Sequence, residues 1–295
     1  MSQQQIILVT GATSGIGRHA ALHLARRGHH VIGTGRRVAA LQSLEAEAKA
    51  AGLRVDGVAM DVTSATSIEE ARKQVMELTS GHGVDAIVNN AGYGLVAPLE
   101  LVTDADLRAQ FETNVFGVHA VTRAFLAPMR ERGRGRIVNV SSVGGRMVFP
   151  FGGAYHATKY AVEAMSDALR MELAPFGIGV SVIEPGYIQT EFTARTMEGL
   201  DPYRRADSPY APLLRRADAL EKGIERFAAS PAAVARAIEK AIFSRAPRAR
   251  YVAPWINALG PVIVGLLPTR LVDWAMRVAV GLTRRTLALG PGAAT

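Results

Sequence analysis

The stretch Thr10-Gly11-Ala12-Thr13-Ser14-Gly15-Ile16-Gly17 has the residue types to hold a phosphate. Glycines let the chain turn tightly and bring backbone N–H groups up to a pyrophosphate at the amino end of a helix. A short apolar run, Ile6 to Val9, precedes the stretch and a helix-period segment follows. That context favours dinucleotide binding over a plain strand–turn–helix, with Gly11, Thr13, Ser14, Gly15, Ile16 and Gly17 as the expected contacts. A nucleoside-triphosphate loop is excluded, since Arg18 follows Gly17 and no Gly-Lys-Ser/Thr does. The second apolar run ends in Thr34-Gly35-Arg36-Arg37. An NAD site would carry an acid near Gly35 for the ribose hydroxyls. Here two guanidiniums stand instead, suited to a 2′-phosphate by charge and forked hydrogen bonding. The expected cofactor is NADP(H); a solvated basic helix start is the plainer alternative.

A second constellation lies further along. Tyr155 and Lys159 are four residues apart, which puts a phenol and an ammonium on one face of a helix. Ser142, thirteen residues before Tyr155, ends an apolar run Ile137-Val138-Asn139-Val140-Ser141-Ser142. Ser141 is the adjacent alternative. Upstream, Asn89-Asn90-Ala91-Gly92 closes another run, and Asn114 sits in a long helix-period stretch.

Elements with these periods must position the groups. Strands are expected at Ile6–Thr10, His30–Gly35, Val55–Met60, Ala86–Asn89, Arg136–Ser141, Gly179–Glu184 and Arg250–Ala253. Helices are expected at Ile16–Arg27, Val38–Ala51, Ile68–Thr79, Leu107–Arg130 and Ala157–Pro175. Short buried strands alternating with helices specify an α/β fold, a doubly wound (Rossmann) parallel sheet with helices on both faces. Ligands bind such sheets at the carboxyl ends of the strands. The chain reads as a single domain, residues 1–295. Residues 6–190 form the cofactor-binding and catalytic core, 187–229 short helices and loops over a site, and 254–295 an apolar, basic extension. Ser230-Pro231 reads as a helix cap.

Taken together, these pieces resemble the short-chain dehydrogenase/reductase family. The match comprises Thr10-Gly11-x3-Gly15-Ile16-Gly17, Asp61 after the third strand, Asn89-Asn90-Ala91-Gly92, Asn114, Ser142, Tyr155-x3-Lys159 and Pro185-Gly186-x3-Thr190. They stand in family order over residues 6–190, roughly two thirds of the chain. The resemblance implies hydride transfer between a nicotinamide and a carbonyl or secondary alcohol. It makes Tyr155 the general acid in reduction, with Lys159 and the oxidised nicotinamide drawing the phenol down from its ordinary pKa of about 10. Lys159 would also bond the nicotinamide ribose, Ser142 would hold the substrate oxygen, and Asn114 would position a water that returns protons to Lys159. Asp61 and Val62 would contact adenine, and Asn90 the adjoining ribose, with Ala91 and Gly92 alongside. Pro185 and Gly186 would lead to Ile188 and Thr190 at the carboxamide. One NADP feature is missing, because Ser14 rather than a basic residue precedes Gly15. Family members assemble through the helices at Leu107–Arg130 and Ala157–Pro175, which implies a homodimer or homotetramer.

The substrate is less defined. Tyr93, Val143, Phe149, Tyr187 and Phe192 neighbour motif residues and would line an apolar pocket, or pack as core. The Tyr93-Gly94 and Pro185-Gly186-Tyr187 contexts resemble the hydroxysteroid and retinol dehydrogenase branch. The expectation is a bulky lipophilic carbonyl or alcohol. A small polar carbonyl is the alternative, and a non-catalytic NADP(H)-binding regulator is a third reading that the full set Asn114, Ser142, Tyr155 and Lys159 argues against.

Composition bounds what remains. The 295 residues are 48% hydrophobic and 20% charged, which excludes wholesale disorder. There is no cysteine, hence no disulfide, thiolate metal site or cysteine nucleophile. No Gly-x-Ser-x-Gly elbow supports a serine hydrolase. His19 and His23 lack an evident partner, and His156 should face away from Tyr155, so no metal site is expected. No signal peptide is expected before Ile6, and no run reaches the ~20 apolar residues of a spanning helix. The net charge of +8 is uneven: residues 1–194 carry 18 basic and 18 acidic side chains, residues 195–295 carry 16 and 8. No nucleic-acid motif accompanies the excess. From Leu271 to Leu289 an amphipathic helix is expected, either packed over the pocket or a subunit contact, or lying on an anionic membrane. The expected location is cytoplasmic, with peripheral membrane contact raised by this tail.

Overall fold

Three or four consecutive apolar residues with no polar alternation need cover on both faces, and the first and fourth runs of the chain receive it: Ile7, Leu8, Val9, Ala86, Ile87 and Val88 are fully buried. The computed structural model describes residues 4–216 and 228–287. Its elements begin β1 (Ile6–Val9), α1 (Gly15–Arg26), β2 (His30–Gly35), α2 (Val38–Ala50), β3 (Val55–Ala59), α3 (Ala65–Leu78) and β4 (Ala86–Asn89). They continue with α4 (Asp104–Phe111), α5 (Gly117–Glu131), β5 (Gly135–Val140), α6 (Gly153–Leu173), β6 (Ile178–Pro185), α7 (Glu191–Glu198) and α8 (Ala211–Leu214). The chain then forms α9 (Pro231–Phe243), β7 (Arg250–Ala253), α10 (Leu259–Leu266) and α11 (Thr269–Ala279).

The strands form one parallel seven-stranded sheet in the order β3-β2-β1-β4-β5-β6-β7. This is the doubly wound α/β fold expected from the sequence. The order reverses direction between β1 and β4, so the crevice above them opens at the carboxyl edge. Strand alternation divides the core. Ile7, Val9, Val31 and Val88 face α1 and α9, while Leu8, Ile32 and Ile87 face α3 and α5 with Phe125 and Met129. A smaller cluster of Leu95, Ala97, Ala154, Leu200, Tyr203 and Leu214 seats the segment after β6 on the sheet's carboxyl edge. That segment consists of short helices and turns, as its proline spacing implies; residues 217–227 lie outside the described residues. Ser230 caps α9 through a bond from Ala232 N at 3.2 Å.

Helix α3 begins at Ala65 rather than Ile68, and α6 at Gly153 rather than Ala157, which brings Tyr155 inside the helix. Two further helices differ in extent. Leu107–Arg130 is not one helix: a π-helical turn, Glu112–Phe116, separates α4 from α5 and buries Asn114 and Val115. The extra residue turns the Asn114 amide inward, onto the backbone of Tyr93. The tail helix stops at Ala279 rather than running to Leu289, because Gly281 takes a left-handed φ of 73° that ends the helix. Residues 288 and 289 lie outside the described residues. Among the described residues no helix is long and apolar enough to cross a membrane.

Candidate active site

Gly11 leaves β1 at φ 64°, a conformation glycine adopts without penalty, and α1 returns so close that Gly17 has no room for a Cβ against the Gly11 carbonyl and Asn90 Nδ2. The helix therefore starts tight against the loop. Ser14 occupies the cap position without a side-chain cap bond, and the first turn of α1 holds no acid. Free N–H groups and the positive end of the helix dipole are left pointing into the crevice. This cradle fits a pyrophosphate. Thr190, at the start of α7, closes it from the other side, 3.4 Å from where a Cβ on Gly15 would stand.

At the end of β2, Gly35 admits Thr13, whose Cγ2 would lie 2.6 Å from any added Cβ. Arg36 and Arg37 follow, both exposed and with no ion pair among the described residues. Arg18, by contrast, is tied to Glu47 at 2.7 Å. Asp61 faces Arg36. Burial alone would raise its carboxyl, but bonds from Thr63 N and Oγ1 and the Arg36 charge outweigh that and hold it below the usual range. Val62 packs under Gly117, 2.9 Å from an added Cβ. The residues present fit an adenosine bearing a 2′-phosphate.

Helix α6 carries Tyr155 and Lys159 on one face, with Lys159 Nζ 5.7 Å from the phenol ring centroid. Lys159 is buried and donates to the Val140 carbonyl at 2.9 Å. Burial draws it down to about 8, with the Glu163 carboxylate opposing. Burial pushes Tyr155 up to about 12, with a hydrogen bond to Ser142 opposing. This differs from the implied lowering of Tyr155: within the protein alone, desolvation of the phenolate outweighs its neighbours. Ser142 Oγ accepts from Gly144 N at 3.0 Å and sits beside Tyr155, whereas Ser141 turns to Glu163. Between the two serines, the hydroxyl beside the phenol is that of Ser142. Asn114 bridges Tyr93 and α6: Oδ1 accepts from Tyr93 N at 3.1 Å, and Nδ2 donates to Tyr93 O at 3.0 Å and Thr158 Oγ1 at 3.1 Å.

Several placements add detail that the sequence did not specify. The Asn90 side chain is committed to the carbonyls of Thr10, at 2.9 Å, and Gly11, at 3.3 Å, which locks the glycine loop. Ile188 is buried in the core, its backbone bridging to Ala229. His23 does have an acidic partner, Glu239 at 2.7 Å, contributed by α9 from far along the chain. Among the described residues no cluster of three potential metal ligands occurs. His156 does not turn away as expected: its ring centroid lies 5.8 Å from that of Tyr155, and the ring is buried, its Nδ1 2.9 Å from Gly144 O and its Nε2 accepting from Phe149 N at 3.3 Å. It props the loop after Ser142, and Gly144 and Gly152 both leave room for its ring.

Sequence reasoning missed the groups beneath the site. Asn89 Nδ2 bonds Thr122 Oγ1 at 2.9 Å and Asn139 Oδ1 at 2.8 Å, and Asn139 Nδ2 bonds Ser166 Oγ at 2.8 Å. This buried ladder joins β4, β5, α5 and α6. It also missed a charged cluster behind Lys159. Arg250 Nε lies 3.0 Å from Glu163 and 3.3 Å from the wholly buried Glu184, and Arg146 lies 3.5 Å from Glu184. Burial raises both carboxyls, and for Glu184 the neighbouring Glu163 adds to it. A polar residue inside an apolar strand, as in Asn139 and Glu184, was the available signal.

The apolar candidates gather only in part. Phe192 stands 5.8 Å from the Tyr155 ring and lies over Gly94, next to Tyr93. Phe149 is 5.8 Å from His156, Val143 opens the turn after Ser142, and Tyr187 follows Gly186 with its hydroxyl buried.

Residues 5–201 match the family model described as short chain dehydrogenase. The chain is 38% identical over 271 residues to the uncharacterized oxidoreductase YbbO of Escherichia coli, covering 92% of this chain and 93% of that one. It is 34% identical over 285 residues to human retinol dehydrogenase 16, covering 93% and 88%. A crystal structure of a short-chain dehydrogenase from Streptomyces avermitilis superposes with a TM-score of 0.77 at 33% identity, covering 96% of this chain and all of that one, 100%.

Proposed function

The chain belongs to the short-chain dehydrogenase/reductase family, and from that membership we propose that it is an NADP(H)-dependent oxidoreductase acting on a hydrophobic carbonyl or secondary alcohol. The observation that carries the reading is the half-buried Tyr155 phenol at the Ser142 hydroxyl, with Lys159 behind it on the same helix face. The cofactor, when bound, supplies or accepts the hydride. Tyr155, a phenol and so protonated at neutral pH, would give its proton to the carbonyl oxygen in reduction. Ser142 Oγ would donate to the same oxygen as charge develops, and the Lys159 ammonium would stabilise the phenolate left behind. Asn114 holds Tyr93 and Thr158 in place and would lead the proton path back to Lys159. The glycine loop Gly11–Gly17 and the segment Pro185, Gly186, Ile188 and Thr190 would hold the pyrophosphate and nicotinamide ends, with Asn90, Ala91 and Gly92 between.

The NADP reading rests on Arg36 and Arg37, exposed just after β2, where the adenosine ribose would lie. The hydrophobic-substrate reading rests on Phe192 beside the phenol and on the likeness to retinol dehydrogenase 16. Exposed Phe116, Tyr160 and Met171 on the α5–α6 side favour assembly into a dimer or tetramer there. The test is NADPH consumption with steroid, retinoid, long-chain and small polar carbonyls, beside NADH and Tyr155→Phe. Turnover of a lipophilic carbonyl, preferring NADPH and lost in the variant, is expected. Turnover of polar carbonyls alone would discard the substrate class. Tight NADPH binding with no turnover of any carbonyl would favour a regulator.

A further inference from the structure

The extension after β7 does not close over itself. One side of α10 meets the protein: Pro261 is buried, and a Cβ on Gly260 would stand 3.2 Å from Met147 Sδ. The other side presents Leu259, Val262, Ile263 and Leu266, exposed by 53, 51, 52 and 80%. No charge interrupts them. In α11 the apolar face of Leu271, Trp274 and Val278 is likewise exposed, while Arg270 and Arg277 stand on the flank. Trp255, just before α10, is 75% exposed. The chain has two tryptophans, and both are here.

Contiguous exposed apolar surface of this extent marks a contact, and three observations say with what. Over residues 254–295, the extension itself, the sequence holds four arginines, Arg270, Arg277, Arg284 and Arg285, and one acid, Asp273. Arg245 and Arg248 lie at the opposite end of β7, and Arg250 turns inward to Glu163 and Asp167, so none of these three belongs to that face. The remaining excess complements an anionic surface, not a second copy of the same basic segment. Indole and guanidinium groups flanking an aliphatic face are the composition of a helix lying in the headgroup–acyl boundary, with its long side chains reaching up to phosphates.

The same segment borders the cleft. Asn257 packs against Gly186, leaving no space for a Cβ there, Gly260 packs against Met147 in the loop after Ser142, and Gly281 packs against Leu213 of α8. The extension thus runs from the Pro185–Gly186 turn, past the Ser142 loop, to the short helices above the site, with its apolar side outward.

We propose that α10 and α11 form a docking surface for a bilayer containing anionic lipid, which sets the mouth of the cleft against the membrane so that substrate enters from the lipid. Docking stands on the surface alone; entry from lipid rests on the hydrophobic-substrate reading above. The two tryptophans make docking readable in the full chain. With phosphatidylglycerol-containing vesicles the emission shifts to the blue and brominated lipid quenches it, less so at high salt. Phosphatidylcholine vesicles give a smaller effect. Ile263→Glu with Leu266→Glu weakens vesicle partitioning roughly tenfold or more, while NADPH binding is unchanged. No quenching by either vesicle overturns docking. A blue shift that rises with protein concentration without lipid, and is abolished by the double variant, assigns the face to copies of the chain instead and also overturns it. For entry, a lipophilic ketone loaded in anionic vesicles is turned over faster than the same ketone in neutral ones, and the double variant loses the difference. Equal rates overturn entry while quenching still reports docking. Failure to turn over any lipophilic ketone sinks the substrate reading, again without touching the quenching result.

Discussion

Glu163 stands one helical turn beyond Lys159 on α6, its carboxylate 3.0 Å from Arg250 Nε and near enough to the Lys159 ammonium to oppose its deprotonation. The pair couples a group at the site to a charged cluster outside it. Lys159 titrates at about 8 because burial disfavours its charge, and Glu163 acts in the opposite sense.

Removing that carboxylate as Glu163→Gln takes away the raising contribution, so Lys159 loses its proton at lower pH. The alkaline limb of kcat/KM for NADPH-dependent reduction should move down in pH, while kcat at the acidic plateau changes little. A purely structural role would lower the plateau and leave the limb where it was.

Arg36→Ser should raise KM for NADPH by about ten- to a hundredfold, the size of a lost charge-assisted hydrogen-bond pair. KM for NADH should stay within a factor of about two, since the 2′-phosphate is the group the guanidinium would meet. Equal losses for both cofactors would point to Arg36 supporting the fold around Gly35 instead.

Asn89→Ala strands Asn139 Oδ1 and removes the bond to Thr122, both in buried surroundings. The expected loss is about 1–3 kcal/mol, measured as a shift in urea midpoint. NADPH affinity should weaken with it, because the ladder sets β4 and β5 level beneath the cradle.

His156 offers a pH test. Burial lowers its pKa from 6.5, with the bond to Gly144 O opposing. The neutral ring donates to Gly144 O and accepts from Phe149 N, an assignment fixed by those two partners. A base with a lowered folded pKa contributes stability that is present above its unfolded pKa and is lost as pH falls below it. The stability difference between pH 7.5 and pH 5.5 should therefore shrink in His156→Gln, a change read from unfolding midpoints at the two values.

Much of this was legible beforehand, and the reason is local. His30–Gly35, Ala86–Asn89 and Arg250–Ala253 are strands at the bounds their apolar runs gave, because turn residues punctuate both ends. Tyr155 and Lys159 share a face because four residues make a helical turn. What escaped depended on distant partners. Glu239 reaches His23 across 216 positions, and Arg250 reaches Glu163 across 87. The π-helical turn at Asn114 escaped for another reason: its periodicity is helical, and the extra residue is forced by the burial of an amide against Tyr93, not by any local sequence preference.

All seven strands point the same way, so every segment that touches the cleft leaves from one rim and every helix-to-strand return crosses the opposite rim. The two rims are held apart by the sheet and the helices packed on its faces. Replacement of the loops after Val140, Pro185 and Ala253 can alter what the molecule recognises without disturbing how the strands are paired, and the returns at Gly28, Gly52 and Gly133 can accept insertions without reaching the chemistry. A lineage built on this plan can exchange partners and substrates at one face while the other preserves its ancestry.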